Sequence, residues 1–225
     1  MPTLWEELRF ITHLNGIEGD ARDLEHIRRL GEIATNLRDP RPALHVAARA
    51  MRDRGFRALY ERGYRPPLPS PERLRELAPG TLGRAYGDHM VRAGLSPDFM
   101  GECRASDPLL AYLADRIFRT HDIAHVVTGY DTSVSGELSL QGFSFGQLPS
   151  GVHLGIVVVG LFKTLRRDLE AIQPTFDGIA RAYLRGQEAR FLLGVPWEEL
   201  WHRPLAELRA EMRLEPVPEA STCAA

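Results

Sequence analysis

The 225-residue chain carries 28 basic and 30 acidic residues, a formal net charge of −2, with 44% hydrophobic and 26% charged residues. That balance has too much apolar material for a disordered chain and too little positive field to recruit nucleic acid by counterion release. Two cysteines, Cys103 and Cys223, provide neither a disulfide framework nor a cysteine-based zinc module, and the length fits one domain over 1–225 with its own core.

Apolar residues at 5, 8, 11 and 14 predict an amphipathic helix, and Leu24, Ile27, Leu30, Ile33 and Leu37 predict a second, opened by Asp20. A third runs over 43–52 and ends near Gly55. His13, His26 and His45 lie on these elements with no carboxylate or second histidine in a ligand-like spacing, so they read as structural or surface residues. The proline-rich stretch 65–71 is a rigid connector, because proline fixes φ and removes donors. Pro71-Glu72 opens a short helix ending at Pro79-Gly80. Thr81 caps the next, which passes Tyr86, His89 and Met90 and stops at Gly94.

Asp107-Pro108 is a strong helix start, a capping side chain followed by proline at the first helical position. From there Leu110, Leu113, Ile117, His121 and His125 fall on one face until Gly129 stops the helix. A polar turn over 130–136 follows, and Glu137 enters the first turn of the next helix, where a carboxylate complements the dipole. After the break at 148–151 the run 152–169 resumes as apolar chain. Its segment Ile156-Val157-Val158-Val159 has strand character, but nothing else in the sequence alternates to pair with it, so it reads as part of a buried helix. Gly155 and Gly160 would let a helix or a ligand chain approach it closely. Helices over 175–193 and 204–214 complete the series, and 215–225 reads as a frayed tail. The expected architecture is a single all-α domain.

The chemistry concentrates in Thr120-His121-Asp122-Ile123-Ala124-His125 and in Glu137. Two histidines four apart share a helical face, and divalent metals favour imidazole and carboxylate ligands with positions left for water or substrate. Adjacent helical residues diverge by about 100°, so Asp122 either ligates directly or orients a histidine from behind. Zinc and non-haem iron both suit two imidazoles and a carboxylate, and manganese, cobalt and magnesium stay open.

Two other motifs compete. Gly142-Phe143-Ser144-Phe145-Gly146 fits the G-x-S-x-G nucleophile elbow, with Asp168 or Asp177 and then His202 in hydrolase order, but no strand precedes Ser144 as an elbow requires. His121-Asp122 also resembles the doublet of an HD-type metal phosphohydrolase, with His89 upstream and Asp168 downstream. That comparison leaves His125 and Glu137 without a role.

The arrangement His121-Asp122-x-x-His125, then eleven residues, then Glu137, resembles the signature of the Coq4 family of ubiquinone biosynthesis proteins. The resemblance extends to Pro79-Gly80-Thr81-Leu82-Gly83-x-x-Tyr86 and to Leu205-Ala206-Glu207-Leu208-Arg209, covering 40–214. It implies an all-helical fold and a zinc or other divalent ion held by His121, Asp122, His125 and Glu137. It also implies peripheral association with a membrane and work on the head group of a polyprenylated quinone precursor. The implied reaction is a metal-dependent oxidative decarboxylation, a decarboxylase and hydroxylase activity in which the ring C1 carboxylate is replaced by hydroxyl. The alternative is a non-catalytic isoprenoid-binding scaffold that presents precursors to other ubiquinone biosynthesis proteins.

An isoprenoid tail would lie along Leu110, Leu113 and Ile117 and along the segment holding Gly155, Val159 and Phe162, since each buried CH₂ contributes about 0.8 kcal/mol. Trp197, Leu200 and Trp201 offer membrane contact or core packing equally well. The apolar run 154–162 is too short to cross a bilayer, and residues near Met1 show no leader pattern. The expected location is cytoplasmic, on the inner face of the membrane, with a homodimer left open.

Overall fold

A computed structural model describes residues 39–95, 105 and 107–214. Among the described residues there are nine α-helices and no strand: α1 Arg41–Ala50, α2 Arg54–Glu61, α3 Pro71–Leu74, α4 Leu82–Ala93, α5 Pro108–Thr128, α6 Val134–Gln147, α7 Gly151–Arg167, α8 Ile172–Glu188 and α9 Leu205–Glu211. Two 3-10 turns, Leu192–Gly194 and Trp197–Glu199, lie between α8 and α9. The fold is all-α, as the sequence implied. The helices expected over 5–14 and from Asp20, and the tail at 215–225, lie outside the described residues.

The punctuation read from sequence acts where expected. Asp107 caps α5 by accepting from Leu109 N and Leu110 N, Thr81 caps α4, and Gly94 and Gly129 end α4 and α5 in the left-handed conformation. Helix α2 departs from expectation. Gly55 stands inside it, pressed against the Gly194 carbonyl, while Asp53 caps it by accepting from Phe56 N at 2.8 Å. Only Phe56 and Leu59 are buried on α2, too few to write a periodic pattern. Helix α8 ends at Glu188 rather than 193, and the chain turns twice before α9.

Helix α5 is 21 residues long, about 31 Å at 1.5 Å per residue, and it joins two cores. Its first half packs Leu110 and Leu113 with Ala47, Ala50, Phe56 and Leu148, and Ile117 lies against the same cluster. Protein side chains therefore cover Leu110 and Leu113. Its second half supplies Ile123, Val126 and Val127 to the larger cluster around Tyr86, Leu140, Phe143, Trp197 and Leu208. Between them Arg116, 2% exposed, pairs with buried Glu198 at 2.5 Å and donates to the carbonyls of Leu193 and Val195. It pins both 3-10 turns to α5.

Helices α6 and α8 make the broadest helix pair. Gly142 and Gly146, four apart on α6, meet Ile179 and Tyr183 of α8, and Gly186 of α8 meets the Phe143 carbonyl in return. A methyl at Gly146 or Gly186 would strike backbone oxygen. The G-x-S-x-G elbow is thereby overturned: its glycines are a packing face, and Ser144 is in mid-helix. Asp168 accepts from Glu170 N and Ala171 N in its own turn, and Asp177 and His202 are exposed.

Two further expectations change. Trp197 and Trp201 are 1% and 6% exposed, with Trp197 Nε1 donating to the Leu192 carbonyl and Trp201 against Tyr86, so neither indole offers a membrane contact. Conversely α7 is not a buried helix. It buries only His153, Val157 and Thr164, and exposes Leu154, Val158, Phe162 and Leu165, with Leu169 continuing the stripe beyond its end. Spacings of four, four, three and four place these on one face. No described helix is long and apolar enough to cross a membrane.

Candidate metal centre

The centre is built by the end of α5 and the start of α6. Gly129 turns the chain out of α5 at φ 84°. Asp131 Oδ1 then accepts from Ser133 N and Oγ, and Ser133 caps α6 by accepting from Gly136 N. Gly136 is required here, because a Cβ would collide with the Asp131 carbonyl and carboxylate. This compact return places Glu137, in the first turn of α6, opposite His121 and His125.

His125 Nε2 lies 3.0 Å from Glu137 Oε1, His121 Nε2 lies 3.6 Å from Glu137 Oε2, and the two Nε2 atoms are 3.2 Å apart. One ligand atom from each residue falls within 4.8 Å of the others. His125 Nδ1 donates to the Tyr130 carbonyl at 2.9 Å, which fixes the tautomer and leaves the Nε2 lone pair facing the cluster. The His125 side chain is 1% exposed while those of His121 and Glu137 are 35% and 38% exposed, so the cluster opens on one side.

Asp122 sits elsewhere. Its Oδ1 lies 3.3 Å from His89 Nε2 on α4, and the His89 ring stacks on His125 at 5.5 Å between centroids. Asp122 thus reaches the cluster through His89 and His125 rather than as a member of it. In the sequence His89 stands out only as the upstream histidine of the HD-type comparison. The signal for its place is its position three residues after Tyr86, on the face that α4 turns to the core.

Without an ion Glu137 and His121 hold each other in charged forms. Burial opposes the charge of Glu137, but hydrogen bonds from His121 and His125 outweigh it and hold the carboxyl far below its ordinary range. Burial likewise opposes the His121 cation, and Glu137 outweighs it, raising His121 to about 9. Asp122 is lowered against its own burial by the His89 hydrogen bond and the charge of His121. A carboxylate held in its charged form, two imidazoles with facing Nε2 atoms and an open side are a donor set that could hold a divalent metal.

The cluster lies within the span over which the chain matches known proteins. The family model for "Coenzyme Q (ubiquinone) biosynthesis protein Coq4" matches residues 42–218. The chain belongs to the Coq4 family. A Coq4 relative from Botryotinia fuckeliana, named a mitochondrial ubiquinone biosynthesis protein, is 33% identical over 146 residues, covering 64% of this chain and 50% of the relative. One of the same name from Yarrowia lipolytica is 32% identical over 153 residues, covering 66% and 56%. This chain thus spans about half the length of these Coq4 relatives. The crystal structure of a ubiquinone biosynthesis protein from Nostoc punctiforme shares the fold, with a TM-score of 0.81 at 22% identity over 93% of this chain and 97% of that one. The HD-type reading fares worse: Asp168, the downstream aspartate it offered, accepts from Glu170 N and Ala171 N in its own turn, while His125 and Glu137, which it leaves without a role, converge on His121.

Proposed function

We propose that this Coq4-family protein acts in ubiquinone biosynthesis as a metal-dependent enzyme, removing the ring C1 carboxylate of a polyprenylated precursor and replacing it with hydroxyl. The observation that carries this reading is the triad itself, two imidazoles and a carboxylate converging with one side open, in a chain of the Coq4 family. His121, His125 and Glu137 would hold the ion, with Asp122 steadying the site through His89. Zinc or another divalent metal would supply Lewis-acid stabilisation of negative charge on a head-group carboxylate or phenolic oxygen.

This chain's residues then have separable duties. His125, locked by the Tyr130 carbonyl, presents a fixed lone pair. His121, in its neutral form, would present Nε2 to an ion held beside Glu137. In the overall reaction the bond from C1 to the carboxyl carbon would break and carbon dioxide leave, one oxygen atom of dioxygen would become the new hydroxyl, and the other would leave as water with two electrons and two protons from an external reductant such as a reduced nicotinamide or flavin. That is a two-electron oxidation, and zinc carries no electrons, so with zinc the oxidant is dioxygen delivered with a partner biosynthesis protein.

The isoprenoid tail and the membrane belong on α7. Its stripe of Leu154, Val158, Phe162 and Leu165 is exposed, with Arg166 and Arg167 also exposed on its last turn, the pattern of a helix lying on an anionic lipid surface. Of the residues first assigned to the tail, Phe162 is in this stripe, while Gly155 and Val159 are half-buried beside it. A mitochondrial membrane, as in the relatives' names, is the expected location.

The test is Glu137→Ala with metal analysis, lipid mass spectrometry and turnover of a prenylated hydroxybenzoate. Retained folding with loss of metal and turnover supports the enzyme. Unchanged turnover overturns it, and retained lipid binding by a wild-type protein that never turns over favours the scaffold.

A further inference from the structure

One turn beyond Glu137 on α6 stands Gln141, and it does not face solvent. Its Oε1 lies 2.8 Å from Nδ1 of His153 on α7, and the two residues are 9% and 8% exposed. The adjoining turn of the same seam is apolar: Leu138 and Val157 pack there with Ile179 of α8. A buried polar pair costs free energy that a hydrophobic pair of the same volume would not. Neither residue caps a helix or joins the metal triad. The fold therefore retains a polar bridge where packing alone favours aliphatic side chains.

The chemistry of the pair is defined. With the Gln141 carbonyl oxygen facing Nδ1, that nitrogen carries the ring proton, and Nε2 keeps its lone pair as a hydrogen-bond acceptor. Burial, with the charge of His121 adding to it, pushes His153 down to about 4, so the imidazole is neutral across the neutral range. Glu137 and Gln141, four residues apart, lie on one face of α6 and about 6 Å apart along its axis, a separation comparable with the span of one aromatic ring carrying polar groups at both ends.

We infer that His153, set by Gln141, recognises the head group: its Nε2 accepts a hydrogen bond from a ring hydroxyl while the ring's carboxylate lies at the triad. This deepens the proposed function and rests on it. The pair selects a neutral hydroxyl, because an uncharged imidazole rewards a donor and does not compensate an anion. Gln141 is a positioning residue, acting through the ring it orients.

The experiment uses the zinc-loaded full chain and two probes, a geranylated 4-hydroxybenzoate and the same molecule without its hydroxyl, with affinities read by calorimetry. The wild type should bind the hydroxylated probe about tenfold more tightly, the worth of one buried hydrogen bond. His153→Phe and Gln141→Leu should each bring the two probes to near parity, leaving zinc stoichiometry and affinity for the deoxy probe unchanged. Gln141→Leu carries the test if His153→Phe does not fold. A preference retained in the folded variants overturns the recognition role while leaving the proposed function standing. A wild type that binds neither probe overturns both.

Discussion

The two halves of α5 share one backbone and one periodic face, yet they do different work. Toward Pro108 the face carries Leu110 and Leu113, sealed by α1, α2 and Leu148. Toward Thr128 the same face carries His121 and His125, met by the returning Glu137. What differs is the element laid opposite. Two helices and a loop residue exclude water from the first half, while a tight turn brings a carboxylate to the second and leaves one side open. A stripe of constant spacing thus says where a face is, and its partner says what the face is for.

Arg116 stands where the halves meet, and disturbing it should give the largest effect. Arg116→Met leaves Glu198 buried without its cation and should cost about 3–5 kcal/mol of stability by urea denaturation. A loss under 1 kcal/mol would show that the pair does not join the halves. Leu113→Ala should cost about 3 kcal/mol for the lost methyl groups and the cavity, while the folded fraction keeps its zinc affinity; weakened zinc binding would show that the halves are not separable. Asp122→Asn should act chiefly on the ion, lowering zinc affinity about 10–100-fold, as loss of a group supporting a ligand does, with a smaller fall in metal-free stability than Leu113→Ala gives.

The subtlest prediction concerns pH in the metal-free protein. The Glu137 pKa is depressed from 4.5, so its contribution is present above that value and is lost as pH falls further. The His121 pKa is raised from 6.5 to about 9, so its contribution is complete below pH 6.5 and is lost as pH rises through 9. Melting temperature should therefore decline between these two values, and Glu137→Gln should flatten the decline. A flat wild-type profile would mean that the triad does not hold itself together without an ion.

Much of this was legible in the residues. Asp107-Pro108 and Gly129 bound α5 because caps act locally, and the i,i+4 histidines with Glu137 declare a site because the turn between them is short. What was hidden depends on distant partners. The contact between His89 and Asp122 spans 33 positions, and no local pattern announces it. Aliphatic density pointed to burial for α7, which the fold reverses, while Trp197 and Trp201, open to membrane contact or core packing, belong to the core. The difference follows from neighbours: the indoles lie where α4 and the last turns close over the core, whereas α7 is covered on one face alone. His153, interrupting an aliphatic run four residues before Val157, was the available sign of the polar bridge.

The end of α5 has one more consequence. Its last carbonyls, at Val126 and Val127, accept from Arg209 of α9, and that of Thr128 accepts from Arg185 of α8. The turn carrying His125 is therefore gripped by a helix more than 80 positions away in the chain. The histidine and glutamate cluster is finished only when the last described helix docks, so on the proposed function a chain cut short of α9 would lack a firm hold on metal before it lacked any ligand.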